Sequence, residues 1–365
     1  MKLSRRQLVA SCIAIPLSES NASRTQEQST LCNHAANRGR LYGVAVRSDK
    51  LQIDAEYARA IAQETNLVVA EGETKRKTLQ PKPDQYNFTP ADSILKFATT
   101  NAVQMRGHTF VWHQSNPQWL EQKLAERRDD RLLTDYISTV AGHYKNQFHS
   151  WDVVNEVINP DDGQESGLRT DSIWFRAFGD SFIETAFHAA KSADPKATLF
   201  LNELNLEADV NWSQRRRRAT LKLLEKLIAK NVPVEGLGIQ GHLKAYRVKY
   251  SDEVFSRFLD EVTSLGLQIM ITEFDIADID GPKDPFQRDA DVASLSKRFL
   301  DVAFSKKSVK GCVTWGISDK YSWLSQYPNY KWADGQLSRA LPFDADFKRK
   351  PMWAAMAAAY DTDSH

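Results

Sequence analysis

Cysteine is scarce in this chain: 365 residues hold three, Cys12, Cys32 and Cys312, with no Cys-x-x-Cys pair and no Cys/His ligand spacing. Neither a disulfide scaffold nor a zinc site fits that pattern, and no cofactor is implied. A surplus of one charge is missing too, since 48 basic side chains face 47 acidic ones and the net charge is +1. So balanced a chain has no counterion-release hold on DNA and no pull toward an anionic membrane surface. Nucleic acid and membrane are therefore not expected as partners, and a monomer is expected. Past the first thirty residues no apolar run is long enough to cross a bilayer as a helix. A glycine-rich nucleotide loop is also absent. After the first strand candidate the chain reads Val46-Arg47-Ser48-Asp49, which argues against an open dinucleotide-binding sheet.

The chain opens with a short basic stretch, Met1–Arg6, a mildly apolar Leu8–Leu17 and a polar Ser18–Thr30. Residues 1–30 read as an export signal and polar leader, too short to span a membrane. Ser4-Arg5-Arg6-Gln7-Leu8 resembles a twin-arginine signal. An ordinary secretory signal with a chance Arg pair is the alternative. Either way the protein is expected to be exported, periplasmic or secreted, with its catalytic domain over residues 31–365.

From about residue 40 short apolar runs alternate with segments of helical periodicity. The runs are Tyr42–Val46, Leu67–Ala70, Val103–Trp112, Trp151–Val154, Thr198–Leu201, Leu237–Ile239, Ile269–Thr272 and Cys312–Trp315. Nearly continuous apolar runs separated by helices indicate parallel strands buried on both faces. Between them Thr89-Pro90 signals a cap and first turn, and Ser251 precedes Val254, Phe255, Phe258 and Val262 in the same manner. Eight strands with intervening helices and no dividing linker predict an α/β fold, a single (β/α)8 TIM barrel. Cys312, inside an apolar run, is expected to be a buried thiol. The Arg215–Arg218 run opens an amphipathic helix and is expected to be its solvated face, with Glu225 and nearby acids as partners.

Functional residues of such barrels gather at the carboxyl ends of the strands. The polar residues closing the runs are Glu71, then His108 and His113, Asn155-Glu156, Asn202-Glu203, Gln240 and His242, Glu273, and Trp315 with Asp319. A single strand-end Glu is ordinarily a rim salt bridge. A whole rim of Glu, His, Asn, Gln and Trp suits carbohydrate, since sugars need amide and carboxylate partners for hydroxyls and flat rings for their faces. Two carboxylates flanking a glycosidic bond are the minimum equipment for its hydrolysis. Glu156 and Glu273 both end strands, so a barrel can bring them face to face. Asp275 could orient His242, which could in turn keep Glu273 charged.

Trp151-Asp152-Val153-Val154-Asn155-Glu156-Val157 closely resembles the acid/base motif of glycoside hydrolase family 10, the xylanases. Ile271-Thr272-Glu273-Phe274-Asp275-Ile276 resembles its nucleophile motif, and the likeness runs in order through Gly107–His113, Gly238–His242 and Thr314–Asp319. The resemblance implies a retaining endo-β-1,4-xylanase acting on a polysaccharide or oligosaccharide, with Glu156 as acid/base and Glu273 as nucleophile. Retention requires the two carboxyl groups about 5–5.5 Å apart. By the same resemblance Asn155 would bind the sugar's 2-hydroxyl, with His242 and Asp275 in support. His108, Trp112 and Gln240 would complete that sugar's pocket, with Trp315 and Trp323 as aromatic floor and lid. The chain departs from the family after its second strand, where Glu71 and Lys75 are kept but Gly72 and Arg76 replace the usual Asn and Trp. Gln114-Ser115 likewise stands where the family places an amide one position later. Both changes point to altered binding on the glycone side, toward a decorated xylan, a short oligosaccharide or another β-glycoside. An inactive carbohydrate-binding barrel is the reading from another class.

Overall fold

The computed structural model describes residues 29–362. Residues 1–28, which hold nearly all of the expected export signal, lie outside the described residues. Thr30, the last residue of the expected leader, caps the helix Leu31–Ala36 by accepting the Asn33 amide.

The described strands are β1 (Leu41–Val46), β2 (Leu67–Ala70), β3 (Gln104–Trp112), β4 (Ser150–Asn155), β5 (Thr198–Glu203), β6 (Gly236–Ile239), its short continuation β7 (His242–Lys244), β8 (Gln268–Ala277) and β9 (Val309–Thr314). All neighbours pair in parallel, and the ring closes where β1 meets β9 and β6 meets β8. With helices between the strands this is a (β/α)8 barrel, as the alternation of runs predicts. Every residue of β2 is buried because the strand is covered twice. Val69 joins Ala45, Leu67, Phe200, Met270 and Val313 inside the barrel, while Val68 and Ala70 face the helices. Cys312 is a fully buried thiol rather than half of a disulfide.

The helices carry their apolar side chains at three- and four-residue spacing. Helix Asp252–Ser264 buries Phe255, Phe258, Leu259 and Val262, and Ser251 caps it by accepting the Val254 amide at 3.4 Å. Helix Thr89–Thr100 starts one residue earlier than a Thr89 cap would require. Phe88 holds the cap position without a side-chain bond, and Pro90 sits in the first turn, where its missing amide proton is not needed.

Only half of the arginine run is solvated, since Arg215 and Arg218 are exposed. Arg216 and Arg217 are buried, in the first half of helix Asn211–Ala229. Arg216 pairs with Glu203 at 3.1 Å and donates to the Ile158 carbonyl, while Arg217 donates to the carbonyls of Leu206 and Ala208. Arg215 pairs with Asp161 rather than with Glu225. A loop leaving β5 folds back over the helix and supplies carbonyl acceptors that a charge count cannot reveal.

Two irregularities position the site. Between Asp152 and Val154 the β4–β5 register shifts, so Asp152 and Asn155 both face the barrel axis although three residues apart. Register shifts in the β8–β9 ladder straddle Ile271 and Phe274. They let Met270, Thr272, Glu273 and Asp275 all reach inward, which strict alternation would forbid.

Candidate active site

An open cleft of about 800 Å³ lies over the carboxyl ends of the strands. Strand pairing places Trp112 beside Asn155 and Asn155 beside Asn202, so three adjacent strands end in one layer. Of the residues expected at the site, Glu71, Lys75, His108, Trp112, Asn155, Glu156, Gln240, His242, Glu273, Trp315 and Trp323 line the cleft. Asp275 stands directly behind His242.

Glu273 is buried and ringed by donors. Asn202 Nδ2 donates to its Oε1 at 2.7 Å, and His242 Nε2 lies 3.2 Å from its Oε2. His108 Nδ1 comes within 4.0 Å. Burial alone would raise the Glu273 pKa, but His108, His242 and Lys75 outweigh it and hold the carboxyl at about 2. His242 shows the converse. Burial pulls its pKa down, yet Asp275, 2.8 Å from Nδ1, together with Glu273 pushes it up to about 10. At neutral pH the pair is a carboxylate and an imidazolium, and Trp323 Nε1 steadies the far side by donating to Asp275 at 2.7 Å.

Glu156 is held differently. Trp112 Nε1 donates to its Oε2 at 2.9 Å and Gln240 Nε2 to its Oε1 at 3.0 Å, both neutral groups. Its backbone is left-handed, at φ 57°, and its amide donates to the Asn202 carbonyl, which turns the side chain over the cleft. Asn155 links the two carboxylates. Its Nδ2 donates to Glu156 at 3.4 Å, while its Oδ1 accepts from Asn202 at 2.9 Å and from Gln240 at 3.4 Å. That arrangement leaves one amide hydrogen of Asn155 for a ligand hydroxyl.

Several contributing residues were visible in the sequence but not assigned to the site. Asn202 is the donor shared by Glu273 and Asn155, and Thr272 fixes its orientation by donating to its Oδ1 at 2.7 Å. The room for this amide comes from Gly238, where a Cβ would sit 2.2 Å from Asn202 Oδ1. Asp152 binds Arg106 and, at 3.0 Å, His108 Nδ1. A lone charge inside an apolar strand run was the available signal, because a buried charge requires a partner. Glu203, behind the site, accepts the Ile158 amide at 3.0 Å and so secures the segment after Glu156. Burial raises its pKa to about 7 despite Arg216.

The departures on the glycone side resolve separately. Gly72 lines the cleft with open space where its Cβ would be. Gln114 also lines the cleft, so the amide has moved rather than vanished, while Ser115 takes φ 54° and accepts the Lys77 amide through its carbonyl. Arg76 does not reach the sugar side. It is buried against Tyr136, Trp174 and Trp119, its guanidinium 4.1 Å from the Tyr136 ring centre, and bonds Gln80. Asp319 likewise stays off the cleft, buried against Lys350 at 2.7 Å.

Known proteins resemble this chain over most of its length. Endo-1,4-beta-xylanase B of Thermotoga neapolitana is 33% identical over 306 residues, covering 83% of each chain. A beta-1,4-xylanase of Dictyoglomus thermophilum is 34% identical over 313 residues, 81% of this chain and 83% of that one. Xylanase 10B from Thermotoga maritima superposes with a TM-score of 0.80 at 30% identity, covering 91% of this chain and 98% of that one. The xylanase 10B of Thermotoga petrophila, solved in complex with xylobiose, matches with the same TM-score and identity, covering 92% and 98%. The sequence profile described as glycosyl hydrolase family 10 matches residues 30–359, so this chain is a glycoside hydrolase and belongs to that family.

Proposed function

We propose that the protein is a retaining endo-β-1,4-xylanase that hydrolyses xylan-type polysaccharide by double displacement. One observation carries this reading: two carboxylates share a cleft, one locked ionised by an imidazolium and an amide, the other held by neutral donors. Glu273 attacks the anomeric carbon while Glu156 gives its proton to the departing glycosidic oxygen, leaving a glycosyl ester on Glu273. Glu156, now ionised, takes a proton from water as that water attacks the same carbon and frees Glu273. Asn155 donates to the 2-hydroxyl, a contact that tightens in the transition state. His108, Trp112, Gln240 and Trp315 surround the reacting sugar, Glu71 and Lys75 hold the next one, and Trp323 covers them. The names of the relatives support xylan as the polymer.

The test is to treat unsubstituted xylan and an aryl β-xylobioside with the protein and with Glu273→Ala, following the anomer formed by NMR. Release of short β-configured products, lost in the variant, is expected. No cleavage of any xylan would retire the reading. The open space at Gly72 favours a second reading, a family relative with altered glycone preference. We also propose that residues 1–30 act as an export signal and polar leader, on the basic start, mildly apolar stretch and polar tail of that segment. N-terminal sequencing of the processed protein, with the leader still attached as the contrary result, checks this.

A further inference from the structure

The two rims of the cleft treat charge differently. On the glycone rim, Arg47 forks onto Asp49 at 3.1 and 3.0 Å, and Lys50 reaches the same carboxylate at 3.1 Å. Glu73 accepts the amides of Ser48 at 2.6 Å and Gly72 at 3.1 Å. Lys75 lies over Trp112, 4.8 Å from the ring centre. On the opposite rim, beyond His242, Lys244 ends β7 and lines the cleft beside Asn205 and Leu204. Among the described residues no carboxylate or other acceptor pairs with its ammonium, which lies 6.0 Å from the centre of the Trp212 ring.

The charged groups around Lys244 are already engaged. Glu207 accepts the Gly241 amide at 2.7 Å, and Asp275 is bound by His242 and Trp323. Arg247 pairs with Asp280 at 2.5 Å, and Lys249 with Asp209 at 2.7 Å. Lys244 is half-buried, so its ammonium is only partly hydrated, and that burial draws its pKa down against the pull of Glu207. A partly hydrated cation in a substrate cleft, with no internal counterion, gains most from an anion carried by the substrate. Xylan presents one such group, the carboxylate of a uronic acid side substituent.

Resting on the xylan-cleaving reading above, we infer that Lys244 is a specificity residue that binds the carboxylate of a uronic acid substituent on the leaving-group side of the scissile bond. A neutral substituent gains nothing there. On the glycone rim Arg47 and Lys50 are already matched by Asp49, and Lys75, which no acceptor pairs among the described residues, stands in the field of Glu71.

Two xylo-oligosaccharides that differ only in one uronic acid substituent separate the possibilities. The wild type is expected to prefer the substituted substrate and to leave the uronate on the fragment expelled as leaving group. Lys244→Met should lower kcat/KM on the substituted substrate about tenfold, the scale of one charge-assisted hydrogen bond. On the plain substrate it should fall no further than Lys244→Arg does. Lys244→Arg should keep the preference, and added salt should weaken it in the wild type. Equal losses on both substrates in Lys244→Met, or a wild type indifferent to the substituent, would overturn the assignment. Failure to cleave the plain oligosaccharide would instead retire the xylanase reading itself, and this inference with it.

Discussion

Glu273 and Glu156 end two strands of one barrel and face one cleft, yet the walls holding them follow opposite rules. Around Glu273 the wall supplies positive charge: the His242 imidazolium, backed by Asp275, with His108 and Lys75 close by. Around Glu156 it supplies neutral N–H groups from Trp112 and Gln240. The nearest imidazole, His113 at 3.7 Å, is kept toward its uncharged form by burial and by Arg169. A nucleophile must be ionised when substrate arrives, and fixed charge secures that. An acid that later serves as base must change charge twice per turnover, and neutral donors penalise neither state heavily.

Removing the carboxylates tests the contrast most severely. Glu273→Ala is expected to abolish turnover, whereas Glu156→Ala should lose about 10²–10⁴-fold on xylan. The Glu156 variant should keep much of its rate on an aryl xylobioside whose leaving group needs no proton. Azide should then yield a β-glycosyl azide from the Glu156 variant and an α-product from the Glu273 variant, and the reverse stereochemistry would exchange the two roles.

His242→Gln comes next. The wild-type Glu273 pKa of about 2 places its titration below the working range. Deleting the imidazolium removes a group that lowers that pKa, so the acid limb of kcat/KM should move to higher pH. An unmoved limb in a pH–rate profile would mean that His242 does not set the charge of Glu273.

Gly238→Ala probes the same wall indirectly. The new methyl would collide with Asn202, so overpacking of about 1–3 kcal/mol and a displaced donor are expected together. A lower Tm should accompany a lower kcat. A variant as active and as stable as wild type would show that the Asn202 amide can move without consequence. The smallest change is Gly72→Asn, away from both carboxylates. One restored hydrogen bond to sugar, about 0.5–1.5 kcal/mol, should lower KM for an aryl xylobioside and leave kcat alone. An equal KM would place the glycone preference elsewhere.

Much of this was legible in the sequence, for physical reasons. Strands buried on both faces leave continuous apolar runs, so Leu67–Ala70 and Thr198–Leu201 announce themselves, and the residue after each run falls at the rim. Asn202 was visible there, but its partners come from β4 and β8, and only pairing register brings them together. Arg216 and Arg217 misled because a run of charge normally marks solvent, while their acceptors are backbone carbonyls that leave no trace in side-chain chemistry. Arg76 occupies a tryptophan's place, yet its aromatic surroundings arrive from helices far along the chain.

The amides between the two carboxylates have an effect on proton traffic. Asn202 spends both Nδ2 hydrogens, on Glu273 and on Asn155, and its oxygen on Thr272. Asn155 continues the line to Glu156. Amides of this kind donate and accept hydrogen bonds but neither release nor take up a proton near neutral pH. The bridge therefore fixes the spacing of the glutamates while insulating one from the other. A proton on Glu156 cannot pass along this amide line to Glu273.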